Sequence, residues 1–334
     1  TGGCPPHSLC VIPLTNLRVR ALPRAVLASE AGIRGPVLPH VEQLVFYAHH
    51  GLPSIDLRLF RHFSRQLRQS TARLWLMLYR QKETGVRPLT NISWMIEAGA
   101  CVWGNGTVRR AWPSVFARTS EMAASTTDPN HRRYWWFHCT LLAWNHTYGH
   151  AYPKALFWWR VEPDVLVAEW ASFIRLADTS HSDVLLPNFV TAKQHPTYPH
   201  WQRNKHLLAG VPRREWVYSL VSIGRYSRRF MHLMAARWAA GQVAYEEIFL
   251  PMSCTAREGC RRDSFRSLLG SGLHFRFRPN WNCTTFLRSA MSVSRPLLWH
   301  PVKRRQCWAD YLDACGGNSS RPGSCARLLQ EVQW

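Results

Sequence analysis

Two β-type runs on either side of one amphipathic segment constrain this chain most. QLVFYAH, residues 43–49, has strand length and strand composition, and the Gly51, Pro53 and Ser54 that follow stop a strand and start a helix. Leu59, Phe60, Phe63 and Leu67 then fall at i, i+1, i+4 and i+8, one face of a helix. RLWLMLY, residues 73–79, is a second apolar run. Strand, helix and strand in so short a space predict a βαβ unit, and with it an open α/β sheet whose ligand sites lie at strand ends. At 334 residues the chain is long enough to bury a large core around such a sheet.

Further along, residues 80–130 read as loop-rich and HRRYWWFHCTLLAW, residues 131–144, as a buried helix. FWWRVEPDVLV, residues 157–167, contains a strand, and a helix is expected from about 168 to 176. DVLLPNFV (183–190) and REWVYSLVSI (214–223) are β-like. Ser227 then caps a helix with Tyr226, Phe230, Met234 and Trp238 on one side, ending at Gly241, and that stripe reads as core. Residues 1–40 form a stem or wrapping segment and 41–253 the main domain. Residues 254–334 are a Cys- and Arg-rich C-terminal extension.

Lys and Arg number 42 against 20 acids, a formal charge of +22. The basic residues lie scattered in ones and twos rather than along one face, so the charge does not indicate a nucleic-acid binder. It suits an anionic partner such as a nucleotide diphosphate or an acidic glycan. The ten cysteines contain no C-x-x-C pair, and N-x-S/T acceptors stand at Asn91, Asn105, Asn145, Asn282 and Asn318. Together they point to an oxidising, secretory compartment. No run reaches the roughly 18 to 20 apolar residues of a membrane span. The opening TGGCPPHS lacks a signal-peptide pattern, so the expectation is a lumenal or secreted portion whose targeting segment is missing.

Against this basic background, Glu162 and Asp164 stand two apart in an apolar run, separated by Pro163. In an extended segment, side chains two apart share a face, so both carboxylates point the same way at a strand end. Two half-buried acids repel each other unless a cation joins them. A divalent Mg²⁺ or Mn²⁺ meets that need, with substrate phosphates on its far side. A solvated acidic pair, partnered by Arg160, is the alternative on spacing alone.

RVEPDV resembles the acidic metal signature of GT-A glycosyltransferases, the DXD position in its Glu-Pro-Asp form. Locally it is similar to fungal-type Golgi α-1,2-mannosyltransferases. The Tyr-Asn-x-Cys-His-Phe-Trp segment of that family is absent, so no mannosyl donor is carried over. YEEIFLPMSC (245–254) and LLWHPVK (297–303) resemble segments of uncharacterised Golgi-type transferases, with the match on Glu247.

The resemblance implies a GT-A-like open mixed sheet flanked by helices, with a Cys-rich C-terminal wrap. It implies a nucleotide-diphosphate sugar donor, a glycan or glycoprotein acceptor and Golgi-lumen residence behind an N-terminal anchor outside this chain. Metal ligands are then Glu162, Asp164 and His300, holding Mn²⁺ or Mg²⁺. Glu247 is the general base, His49, Arg160 and Asp164 face the nucleotide, and Tyr198 and Trp201 stack on the acceptor. A glycoside hydrolase also uses two carboxylates, but usually from separate elements. A non-catalytic carbohydrate-binding module gives no reason for the acidic pair.

Overall fold

The computed structural model describes residues 41–49, 54–67, 70–80, 100–104, 152–291 and 297–316, with parts of 106–124 and 141–149. Seven strands form the main sheet: β1 (Gln43–His49), β2 (Ala72–Arg80), β3 (Ala100–Gly104), β4 (Phe157–Val161), β6 (Val184–Leu186), β9 (Ile223–Ser227) and β10 (Arg262–Ser264). Their order is β10-β6-β9-β4-β1-β2-β3, and only β9 runs against the others. A three-stranded sheet adds β11 (Leu273–Phe275), β12 (Leu298–His300) and β5 (Leu166–Val167), in that order. A small ribbon pairs β7 (Val190–Thr191) with β8 (Val217–Tyr218). This open mixed α/β sheet flanked by helices is the fold class the sequence implied.

Each element forms for a local reason. In α1 (Ser54–Leu67) the stripe Leu59, Phe60, Phe63 and Leu67 is buried, while Arg58, Arg61 and Arg65 face solvent. β1 is covered on both faces. Val45 and Tyr47 pack toward α1, and Leu44 and Phe46 toward a second cluster that includes Trp144 and Trp158. α2 is Pro113–Ala124. Glu169 caps α3 (Trp170–Asp178), accepting from the amides of Ala171 and Ser172. Ser227 caps α4 (Arg228–Ala239) through Phe230 N, and Gly241 beyond it has φ +71°. The stripe Tyr226, Phe230, Met234 and Trp238 is buried core, as read. α5 (Glu246–Ser253) lies on the same side of the sheet, with Phe249 and Leu250 in that core and Ile248 and Met252 in a third cluster beneath residues 190–218. α6 (Cys283–Met291) and α7 (Arg305–Gly316) are tied by the Cys283–Cys307 disulfide, and Cys254 bonds Cys260.

Three expectations change. Residues 80–130 contain β3 and α2, elements too short and too weakly periodic to stand out in the sequence. DVLLPNFV is two strands, because Pro187 lacks the amide a ladder needs. REWVYSLVSI is not one strand: Arg213–Glu215 turns, β8 is two residues long, and the sheet strand is β9. Of residues 131–144, only 141, 142 and 144 are described, and they are helical. The C-terminal segment reaches back into the main body: β10 is an edge strand of the large sheet, and Tyr311 and Leu312 of α7 share the core with α1. Among the described residues no helix is long and apolar enough to cross a membrane.

Candidate active site at the carboxyl edge of the sheet

The chain runs β1, β2, β3 outward in one direction and then places β4 on the opposite side of β1. The order reverses between β1 and β4, and in open α/β sheets ligands bind beyond the carboxyl ends of strands at such a reversal. β4 ends there at Val161, and Glu162, Pro163 and Asp164 follow. The spacing predicts an extended segment here, and the structure corrects that. Residues 162–165 make a tight turn, with Val165 N bonded to Glu162 O at 3.2 Å. The two carboxylates still converge, because the turn is pinned from three sides. Glu162 N donates to Ser222 O (2.8 Å), Val302 N donates to Asp164 O (2.9 Å), and Tyr47 Oη donates to Pro163 O (3.4 Å).

His300 arrives from far along the chain. β12 pairs antiparallel with β5, Leu298 opposite Val167, and this carries His300 back to the turn. The result is a cluster of Glu162, Asp164 and His300 whose ligand atoms lie within 4.8 Å of one another. His300 Nε2 is 3.7 Å from Asp164 Oδ1 and 3.0 Å from Ser222 Oγ. Its Nδ1 sits 2.9 Å from the Arg276 carbonyl. A carbonyl only accepts, so Nδ1 carries the proton in the neutral ring, and the Nε2 lone pair accepts from the Ser222 hydroxyl beside the carboxylates. A backbone carbonyl on one ring nitrogen is the arrangement that orients imidazoles able to bind metal. Burial, then the Glu162 charge, raise the Asp164 pKa, while His300 and Lys303 oppose the rise. Lys303 Nζ stands 3.7 Å from Asp164 Oδ2 at the exposed side. Two carboxylates and an oriented imidazole fit a divalent ion such as Mn²⁺.

Arg160 links this cluster to α5. Its side chain is wholly buried, donating to Glu162 Oε1 (2.8 Å), Glu246 Oε2 (2.9 Å) and Val221 O (3.1 Å). It pairs with Glu162 rather than Asp164, and its guanidinium is occupied inside the protein. Gly224, its neighbour on β9, has no room for a side chain: a Cβ would come within 2.3 Å of Tyr226 Oη. Glu246, buried, is held by Arg160, and burial keeps its pKa well above the usual carboxylate value. Glu247, next in α5, is partly exposed and receives the hydroxyl of Tyr198. Burial pushes its pKa up to about 7; the Tyr198 bond and Arg160 lower it, and Glu162 adds to the rise.

Tyr198 and Trp201 are buried in the third cluster, not laid on an open face. The more open aromatic members of that group are Trp216 and Tyr218, with His195 against Tyr198 and Tyr218, and the sequence did not single them out. The alternation of Trp216, Val217 and Tyr218 was the available signal for the last. His49 ends β1 at this same edge, and its side chain lies outside the described residues.

No protein-family model matches the sequence, and no curated protein is similar to it in sequence. Among solved structures, the chain is similar to core-mannan synthase A from Aspergillus fumigatus in its Mn/GDP form. That alignment has 12% identity and a TM-score of 0.37, covering 68% of this chain and 73% of that one. It is also similar to the mannosyltransferase Ktr4p from S. cerevisiae in complex with GDP, with 9% identity and a TM-score of 0.36 over 70% and 72% of the two chains. Likenesses at this level decide nothing by themselves, so the functional reading rests on the geometry above.

Proposed function

We propose that this protein is a metal-dependent glycosyltransferase of the secretory pathway. It moves a sugar from a nucleotide-diphosphate donor to a hydroxyl of a glycan or glycoprotein. The observation that carries the reading is the convergence of Glu162, Asp164 and His300 at the point where strand order reverses. The GDP named in both similar structures accords with a nucleotide donor here.

Glu162, Asp164 and His300 would hold the divalent ion, Mn²⁺ or Mg²⁺, which neutralises charge on the diphosphate. Arg160 aims Glu162 by occupying its inner oxygen. Lys303, exposed beside Asp164, adds a cation on the phosphate side. Glu247 serves as general base. The acceptor O–H bond breaks, its proton goes to the Glu247 carboxylate, and the oxygen bonds to the sugar C1. The C1–O bond to phosphate breaks, and the nucleotide diphosphate departs with the electron pair.

The test is a panel of nucleotide sugars assayed with and without Mn²⁺, beside Asp164→Ala. Turnover is expected for at least one donor, dependent on the metal and reduced by about 10²–10³-fold in the variant. Turnover of no donor by the intact protein, or full metal-dependent activity in Asp164→Ala, sinks the proposal.

A further inference from the structure

One phenol reaches Glu247. Tyr198 Oη donates to Oε2, and among the described residues nothing donates to Oε1. The tyrosine is itself firmly held. Its ring stacks on Tyr218 at 3.9 Å and 6°, and Trp201 packs edge-on at 5.3 Å. Tyr218 Oη in turn lies 2.7 Å from His195 Nδ1, and the Trp201 indole N–H donates to His195 O at 3.0 Å. Residues 195–201 thus form a rigid clamp that delivers a single hydroxyl to one oxygen of one carboxylate.

We infer that Tyr198 is a positioning residue for Glu247, anchoring Oε2 so that Oε1 faces the acceptor hydroxyl. The inference rests on reading Glu247 as the base. It gives Tyr198 a role other than stacking on a sugar. Burial, with the Glu247 charge, pushes the Tyr198 phenol far above its ordinary range, so it remains a donor at every working pH. The other charged groups acting on Glu247 are Glu162 and Arg160, and Glu246 adjoins it on α5. Tyr245, Tyr218 and His200 face Tyr198. A donor on the charged form favours ionisation, so the clamp should keep Glu247 deprotonated to lower pH than burial alone allows.

The experiment follows the Glu247 carboxyl by ¹³C NMR titration in the wild type and Tyr198→Phe, with the pH profile of sugar transfer alongside. In Tyr198→Phe the titration and the acid limb are expected to rise together by about one pH unit or more. Transfer at pH 7 is expected to fall about 10- to 100-fold, with the donor KM unchanged. Placing 3-fluorotyrosine at position 198 keeps the shape and strengthens the donor, so both should move down. That variant also covers a failure of Tyr198→Phe to fold. Trp216→Phe perturbs the same packing without touching Glu247 and should leave the titration in place. An unmoved Glu247 titration in the Phe or fluorotyrosine protein overturns the inference. A titration that moves in a protein with no sugar-nucleotide turnover overturns the proposed function and leaves the Tyr198–Glu247 hold standing.

Discussion

Arg160 and Arg225 are both wholly buried, on the adjacent strands β4 and β9, yet their surroundings differ in kind. Arg225 is closed off. It donates to the carbonyls of Ala177 and Ser180, each at 2.6 Å, and lies 4.0 Å over the Phe157 ring. Its nearest acid, Asp178, is half in solvent at 3.4 Å, Asp263 acts on it more weakly, and burial lowers the Arg225 pKa to about 10. Arg160 instead sits in an excess of acid, bound to Glu162 and Glu246, with Glu247 also acting on it and Asp164 beside Glu162. Neutral carbonyls satisfy a cation and ask for nothing more. A surplus of carboxylates asks for another cation, which is why the proposed site lies at the Arg160 end.

This contrast can be broken by experiment. Glu247→Gln should reduce transfer by about 10²–10⁴-fold. The wild-type rate should climb with pH through about 7, since the base acts only when ionised. For stability the sign runs the other way. A folded pKa above the usual 4.5 means stability present below 4.5 is lost as pH rises through about 7. Melting curves should therefore show Glu247→Gln matching the wild type at pH 4 and exceeding it at pH 8.

At the candidate metal cluster, His300→Ala should weaken Mn²⁺ binding about 10- to 100-fold by calorimetry on the folded protein. The two arginines should separate in denaturant titrations. Arg160→Met leaves Glu246 buried without its cation and should cost about 3–5 kcal/mol, partly recovered by adding Glu246→Gln. Arg225→Met strands two carbonyls and should cost about 2–5 kcal/mol, with turnover per folded molecule unchanged. If Arg225→Met abolishes turnover in folded protein, the distinction between the two ends is lost. The smallest effect is expected for Lys303→Ala, about a fivefold rise in donor KM, because that charge is more than half exposed.

The sequence by itself determined the βαβ opening and the buried stripes of α1 and α4, and it offered the Glu162/Asp164 pair as a candidate centre. These follow from periodicity and from residue types that make no sense elsewhere. The preference for Glu247 over Glu246 came only through a resemblance; in the fold Arg160 takes Glu246, and Glu247 meets Tyr198. Tertiary structure alone decided the rest. A turn, not a pleat, gathers the two acids, and antiparallel pairing of β12 with β5 brings His300 across more than a hundred residues. Tyr198 became a partner of Glu247, not an open stacking surface, because residues 190–218 fold into a packed cluster against α5. Local pattern records what a segment buries; long-range pairing sets which side chains meet, and one sequence read alone carries no trace of that pairing.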